Sequence, residues 1–316
     1  MTVAAEASAH RSRRRPRLKR VAQASVPYLL ILPVIAVITA ILGYPLYKLV
    51  TLSFQQYGLA ELIQRKGVWI GFDNFSSVLH DEVFWRVLLR TVIFTAANVA
   101  LTIGIGTALA FLLVRVSTLV RVLLTAGLVL VWSMPAVVAV QVWVWMTNFE
   151  NGILNYVLTE LHVGDYTGHD WYGSTFSKLA MVTLLIVWGA IPFVTITVYA
   201  GLAQVPRELV EAAEIDGAGP VRVFRDVTFP VLKPIFLILT SLSIIWDFGV
   251  FTQPYLLIGS SAVDTSNYLM GVYVFIEGYA HSDFGRGAAI SLLMLLIVAV
   301  MSVFYVRRMV KMGDVR

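Results

Sequence analysis

The sequence contains no cysteine, which excludes disulfide bonds, thiolate metal sites and cysteine nucleophiles. Charge is also scarce, because only 14% of the residues are charged, compared with about 25% in an average soluble domain. Hydrophobic residues make up 58% of the 316 positions, and the mean hydropathy is +0.79. Such a chain belongs mostly in lipid, so the number of membrane spans describes it better than a number of soluble domains.

Motifs for nucleotide binding and for hydrolysis are missing as well. The sequence has no G-x-x-x-x-G-K-[ST] and no Gly-Lys pair, so it lacks the loop that binds nucleotide phosphates. Neither G-x-S-x-G nor H-E-x-x-H occurs, which argues against a hydrolase. The acidic and histidine residues between 160 and 170 are too irregularly spaced for a metal site. We therefore expect no bound metal and no catalytic residues.

Six segments are long and apolar enough to cross a membrane, which takes about 20 residues of helix. Helices satisfy their own backbone hydrogen bonds in lipid, and the alternating pattern of membrane strands is absent. The predicted spans lie at about 26–47, 91–114, 122–147, 179–202, 235–258 and 288–306. The predicted fold class is therefore all-α, a polytopic membrane protein with six transmembrane helices.

Basic residues are concentrated at the N-terminus and in alternate loops. Most of the 24 Lys and Arg residues lie in the N-terminal tail, in the segments 115–121 and 203–234, and after the last span, whereas 148–177 contains none. By the positive-inside rule both termini are cytoplasmic. The first apolar run is too long for a signal peptide and no A-x-A site follows it. We predict a disordered basic tail at 1–25, preferred over a nucleic-acid-binding segment, and a membrane domain at 26–316.

The cytoplasmic segment Pro206–Pro230 carries helix signals on both sides of a turn. Proline is tolerated at the first position of a helix, as at Pro206 and Pro220, but not in its interior, as at Pro230. Gly217 fits the left-handed position that ends a helix. A short helix hairpin is thus predicted, which is marginal alone and would be stabilised in a groove of a partner. Its acidic side chains would attract basic groups of that partner: Glu208, Glu211, Glu214 and Asp216.

The spacing in this segment resembles the EAA signature of ABC importer permeases. The segment reads Glu211-Ala212-Ala213, then three residues, Gly217, nine residues, Val227, one residue and Phe229-Pro230. The signature usually has Ile and Leu at the positions of Val227 and Phe229, so both replacements remain apolar. The resemblance implies that the loop 203–234 holds a coupling helix hairpin seated in a cleft of a separate ATPase. The implied coupling residues are Glu211, Ala212, Ala213, Asp216, Gly217, Ala218, Phe224 and Pro230. The alternative is an amphipathic surface hairpin without a partner.

Shorter motifs along nearly the whole chain resemble the carbohydrate branch of this family, the maltose-type and glycerol-3-phosphate-type permeases. The branch resemblance implies a sugar as the solute, and an oligosaccharide in particular. Residues Trp246–Gly259 also resemble actinobacterial amino-sugar or chito-oligosaccharide permeases. The motifs, in order, are Tyr44-Pro45, Leu52-Ser53-Phe54, Gly71-Phe72-Asp73-Asn74-Phe75, Phe84-Trp85, Met134-Pro135, Trp143-Val144-Trp145-Met146 and Gly152-Ile153-Leu154-Asn155.

Asp247 is a carboxylate within the predicted fifth span, towards its middle. A charge there costs roughly 2.5–3.5 kcal/mol on insertion scales and marks a functional site by default. Asp247 could accept hydrogen bonds from sugar hydroxyls while Trp246 packs on a sugar ring, or it could bond a neighbouring helix or subunit. The resemblance places the solute site on two segments, 188–193 and 246–253, although ordinary helix packing is an alternative for the small and aromatic residues. The implied substrate-path residues are Trp188, Gly189, Phe193, Trp246, Asp247, Val250 and Gln253.

The resemblance also implies an assembly in a bacterial inner membrane. The partners would be a second permease, two ATP-binding subunits, an extracytoplasmic solute-binding protein, a carbohydrate solute and membrane lipid, without nucleic acid. This chain would be a non-catalytic subunit that binds no cofactor, with ATP and Mg²⁺ on the partner ATPase. One alternative is an ion-driven secondary transporter, which needs intramembrane ion ligands such as Asp247. The other is an intramembrane enzyme or a structural assembly subunit.

Overall fold

A computed structural model of the chain describes residues 30–259 and 265–313, and the predicted basic tail at 1–25 lies outside them. The described chain is almost entirely helical, which confirms the all-α class. Its one β-ribbon pairs β1 (Gln55–Gln56) with β2 (Val68–Trp69) in antiparallel register. The helices are α1 (Leu30–Ser53), α2 (Leu59–Gln64), α3 (Asp73–Leu79), α4 (Glu82–Arg115), α5 (Thr118–Trp132), α6 (Ala136–Met146), α7 (Ile153–Glu160), α8 (Thr175–Leu202), α9 (Arg207–Ile215), α10 (Pro220–Phe248), α11 (Thr252–Ile258), α12 (Met270–Phe275) and α13 (Phe284–Gly313).

The chain divides into two compact units, with the boundary between Thr51 and Leu52. The described part of the first unit is helical and includes a π-helical segment, Thr39–Gly43, within α1. The second unit contains α2 to α13, and with them the cavity and the hairpin described below.

Five helices are each long and apolar enough to cross a membrane: α1, α4, α8, α10 and α13. Helices α5 and α6 pass the same test only together and are bent by 101° at their junction, so the pair is either a broken span or a re-entrant loop. The prediction of a polytopic all-α membrane protein is therefore confirmed, with five or six candidate spans, and the predicted third span is not one straight helix. Pro135 accounts for the break, because proline has no N–H to donate and disfavours helical geometry in the residue before it.

The fifth span also differs from its prediction at both ends. It begins at Pro220 and ends at Phe248, whereas the apolar sequence continues to residue 258 as the separate helix α11. The backbone is tightly packed at this break, since a Cβ on Gly271 would lie 3.0 Å from the carbonyl oxygen of Gly249. The close approach of another segment therefore fixes a break that hydropathy does not reveal.

Helices α4, α8 and α10 form the centre of the second unit, with the most extensive helix contact between α4 and α8. Gly106 of α4 faces Val194 of α8 so closely that a Cβ would lie 2.6 Å from a methyl group. About two turns further along α8, Gly201 makes a similar close contact with Leu232 of α10. Small residues at such positions are the usual way in which membrane helices approach one another.

A partly buried ionic network joins the start of α4 to the start of α13. Arg286 pairs with Asp81, and its Nε lies 3.0 Å from Oε2 of Glu277. Burial raises the pKa of Tyr273 to about 12, so its hydroxyl remains protonated and donates to Asp81 at 3.3 Å. The network ties together segments that are about two hundred residues apart in sequence.

Candidate functional site

A cavity of about 230 Å³ lies between the α5–α6 break, helix α8 and the α10–α11 break. All seven residues predicted for the substrate path line it: Trp188, Gly189, Phe193, Trp246, Asp247, Val250 and Gln253. The structure thus brings together two segments that are more than fifty residues apart. Their contact with a solute stays a prediction.

The local structure explains why these side chains converge. Gly189 and Phe193 are one helical turn apart on α8, and a Cβ on Gly189 would meet nothing within 4 Å, so this surface of the helix is open. Asp247 is the penultimate residue of α10, near the end of its helix rather than in the middle of a span. The chain then turns at Gly249, which places Val250 and Gln253 on the same cavity.

The cavity has an aromatic wall that sequence reasoning identified only in part. Phe193 contacts Trp246 at 5.5 Å between ring centroids, and on its other side stacks with Trp132 at 6.0 Å and 19°. Trp132 was missed, because it was read as part of a continuous third span. The signal for it was the Met134-Pro135 pair two residues later, which ends α5 and leaves Trp132 at the break.

Asp247 is the ionisable group of this cavity. Its side chain is 7% exposed, and within the described residues its carboxylate has no hydrogen bond or salt bridge to the protein. The alternative that Asp247 bonds a neighbouring helix is therefore not seen in this chain. A buried carboxylate that borders a cavity without a partner is available to a hydrogen-bond donor that enters the cavity.

The segment Pro206–Pro230 forms the predicted hairpin. Helix α9 ends before Gly217, which has φ +80°, and the amide of Ala218 donates to the carbonyl of Ala213 at 2.9 Å. Helix α10 begins at Pro220, as expected. The expectation that Pro230 lies outside this helix is wrong, because α10 runs through a π-helical turn, Phe224–Thr228, directly into it. A wide turn accommodates a residue that has no N–H to donate.

The predicted coupling residues differ in exposure. Phe224 is half-buried and packs edge-on against Phe111 of α4 at 5.6 Å, so it anchors the hairpin to its own chain. Ala213 and Ala218 are also half-buried. The exposed members are Glu211, Ala212, Asp216, Gly217 and Pro230.

Two apolar side chains at the hairpin tip were not predicted. Ile215 is 86% exposed and Val221 is 81% exposed, although both are large and aliphatic. They flank the Gly217 turn in sequence, next to the exposed acidic residues. The tip therefore presents apolar groups together with negative charge, which is an arrangement suited to docking against a basic partner.

A second, larger cleft of about 800 Å³ lies between the hairpin and the C-terminal ends of α4 and α8. Three predicted coupling residues line it: Glu211, Ala218 and Phe224. None of the substrate-path residues does, so the structure separates the two predicted sets into two places in the second unit.

Comparison with known proteins gives consistent results. Residues 100–309 match the family model for the binding-protein-dependent transport system inner membrane component. The chain is 43% identical over 300 residues to the diacetylchitobiose uptake system permease protein DasB of Streptomyces coelicolor, covering 95% of this chain and 91% of that protein. It is 29% identical over 287 residues to the trehalose/maltose transport system permease protein MalF of Thermococcus litoralis, covering 90% and 94%.

Among solved structures, the chain resembles one from a bacterial ABC transporter involved in the import of the acidic polysaccharide alginate. The TM-score is 0.77 at 18% identity, and the match covers 93% of this chain and 99% of that chain. At this identity the likeness shows a shared fold, and it agrees with the helical architecture described above.

Proposed function

Because the chain belongs to the inner-membrane components of binding-protein-dependent transport systems, we propose that it is the permease subunit of an ATP-driven importer for a sugar. The observation that carries the proposal is the cavity in which the seven residues expected along the substrate path converge. Aromatic rings such as Trp246 and Phe193 can pack on the apolar face of a sugar ring. Asp247 can accept hydrogen bonds from its hydroxyls.

The relatives support an oligosaccharide in particular. The 43%-identical protein is named for diacetylchitobiose uptake, and a 29%-identical protein is named for trehalose and maltose transport. Both names refer to small sugars built from two rings. We therefore propose a short oligosaccharide, for which this chain forms half of the translocation path.

The hairpin around Gly217 is proposed to couple transport to ATP hydrolysis. Its acidic residues and the exposed side chains of Ile215 and Val221 would dock into a cleft of an ATP-binding subunit. Since α9 leads through the turn directly into α10, a movement of the docked tip would be passed to the helix that carries Asp247. Closure of the ATPases would then open the solute site outward, and hydrolysis would reset it.

The proposed assembly contains a second permease, two ATP-binding subunits and an extracytoplasmic solute-binding protein. ATP and Mg²⁺ would be bound by the ATPases, and this chain would make and break no covalent bond. The distribution of basic residues supports an orientation with both termini and the 203–234 loop in the cytoplasm and 148–177 outside. In this orientation the hairpin faces the compartment that supplies ATP.

Affinity purification of the tagged chain from native membranes in mild detergent tests this proposal. Mass spectrometry is expected to identify a second permease, an ATPase with a phosphate-binding loop and an exported binding protein. Purification without any ATPase would contradict the proposal, since coupling through the hairpin requires one. Uptake of the sugar by vesicles without ATP would contradict it as well.

A further inference from the structure

The cavity is lined by one acidic side chain and by no basic side chain. Of its fifteen lining residues, Asp247 is the only one with an ionisable side chain, and no Lys, Arg or His is among them. Gln253 adds an uncharged amide, and most of the remaining lining is aliphatic or aromatic. A solute in this cavity would therefore meet one carboxylate and no compensating cation from this chain.

The carboxyl group of Asp247 is also free of protein partners within the described residues, so it is available to a solute. The side chain is 7% exposed, and no other side chain in residues 30–259 and 265–313 forms a salt bridge with it. By contrast, Arg286 in the same unit contacts two carboxylates at once. The carboxyl group of Asp247 thus has no basic partner within the described chain.

A cavity with this lining should bind neutral sugars more favourably than anionic sugars. A hydroxyl or an amide N–H can donate to the Asp247 carboxylate, and such charge-assisted hydrogen bonds are stronger than neutral ones. A carboxylate, sulfonate or phosphate on the solute would lose its hydration in the cavity without gaining a cation. When Asp247 is ionised it would also repel such a group, because like charges at close range in a poorly screened site are unfavourable.

We propose that Asp247 makes this cavity a charge filter, which accepts neutral or amine-bearing sugars and rejects anionic ones. The inference rests on the proposed sugar permease and deepens it by naming the class of sugar. Selection at this point is separate from any selection by a solute-binding protein. Asp247 is then a specificity-determining residue.

Equilibrium binding to the assembled complex in lipid nanodiscs, without a binding protein, tests the filter. The probes are di-N-acetylchitobiose and the same disaccharide with one hydroxymethyl group oxidised to a carboxylate. The wild-type complex is expected to bind the neutral disaccharide at least tenfold more tightly. Asp247→Asn keeps the side-chain shape and should reduce this ratio to about threefold or less.

Two further variants make the result specific. Gln253→Lys adds a cation to the same lining and should also lower the ratio, while Asp247 is retained. Asp165→Asn removes the same charge from an exposed position in the 148–177 loop and should leave the wild-type ratio unchanged. Elution of each variant as an intact complex shows that assembly is retained.

Equal binding of both probes by the wild type would overturn the filter, as would an unchanged ratio in both Asp247→Asn and Gln253→Lys. Either result would leave the importer proposal intact, because co-purification with an ATPase tests that separately. Binding of neither probe would overturn the filter together with the cavity as the solute site.

Discussion

The cavity and the hairpin around Gly217 differ in how the chain builds them. The hairpin consists of one continuous segment, 206–230, and its tip is exposed. The cavity is assembled from the α5–α6 break, helix α8 and the α10–α11 break, and its carboxylate is buried. A surface that docks a partner can be encoded by local spacing, whereas an enclosed path requires distant segments to meet. The two regions should therefore respond differently to substitution.

The largest effect is expected from Gly217→Val at the hairpin turn. Gly217 has φ +80°, and a β-branched residue is strongly disfavoured in this conformation. A Cβ there would meet nothing within 4 Å, so the strain comes from the backbone alone. We expect sugar uptake by whole cells to fall at least about twentyfold, with normal amounts of the protein in the membrane.

Gly219→Ala is the matched control for this turn. Gly219 has φ −70° and also has open space around its Cβ position, so alanine should be tolerated. Normal uptake by Gly217→Val would remove the coupling role of the turn. Equal damage from both substitutions would show that the left-handed conformation is not what matters.

Asp247→Ala should have the next largest effect, and it should change the apparent KM for sugar instead of the coupling to ATP hydrolysis. Loss of a charge-assisted hydrogen bond worth about 1.5 kcal/mol raises the apparent KM for sugar about tenfold. Co-purification of the ATP-binding subunits should be unchanged, because Asp247 lies in the cavity and not on the hairpin. Unchanged uptake kinetics would instead assign Asp247 a structural role.

Trp132→Ala tests the part of the cavity wall that the sequence did not reveal. Trp132 stacks with Phe193, so its loss removes an aromatic surface and loosens a neighbour. An aromatic contact is worth about 0.5–1.5 kcal/mol, which corresponds to an increase of about fivefold in the KM for sugar. Trp145→Ala removes an exposed indole outside the cavity lining and should not change the KM. Equal effects of the two would exclude a specific role for Trp132.

Ile215→Ser should have the smallest effect and should affect only the docking of the ATPase. The side chain is 86% exposed in the chain alone, so the substitution should not destabilise the fold. Loss of one apolar contact at an interface should weaken ATPase binding about threefold, measured by titration of the purified subunits. Val163→Ser, at an exposed position of the 148–177 segment, is the control. Identical ATPase affinities for the two variants would place Ile215 outside the interface.

The sequence predicts those features of the fold that depend on local properties. Length and hydropathy predict six membrane helices, and the Pro206, Gly217 and Pro220 spacing predicts a hairpin, because each residue acts on its own backbone. The break after Phe248 was not predicted, since hydropathy continues through it and the close approach of Gly271 is a tertiary contact. Local rules also misplaced Pro230, because the preceding π-helical turn is not visible in the composition.

In the candidate site, too, the sequence does not predict those side-chain contacts that depend on the folded structure. The family resemblance implied Phe224 as a coupling residue, but the sequence could not tell that its ring meets Phe111 of α4 instead of a partner. Conversely, the segments around Trp188 and Asp247 were expected to meet only because of the family resemblance. The contribution of Trp132 depends on the 101° bend between α5 and α6, which is a property of the folded chain.

The most direct test of the separate roles is one experiment on reconstituted complexes that measures ATP hydrolysis, sugar uptake and retention of the ATP-binding subunits together. Gly217→Val is predicted to lose uptake at every sugar concentration and to lose its coupling to hydrolysis. Asp247→Ala is predicted to retain the ATP-binding subunits and to recover uptake at high sugar concentration. If both variants showed the same loss at all sugar concentrations, the division between a solute cavity and a coupling hairpin would be contradicted.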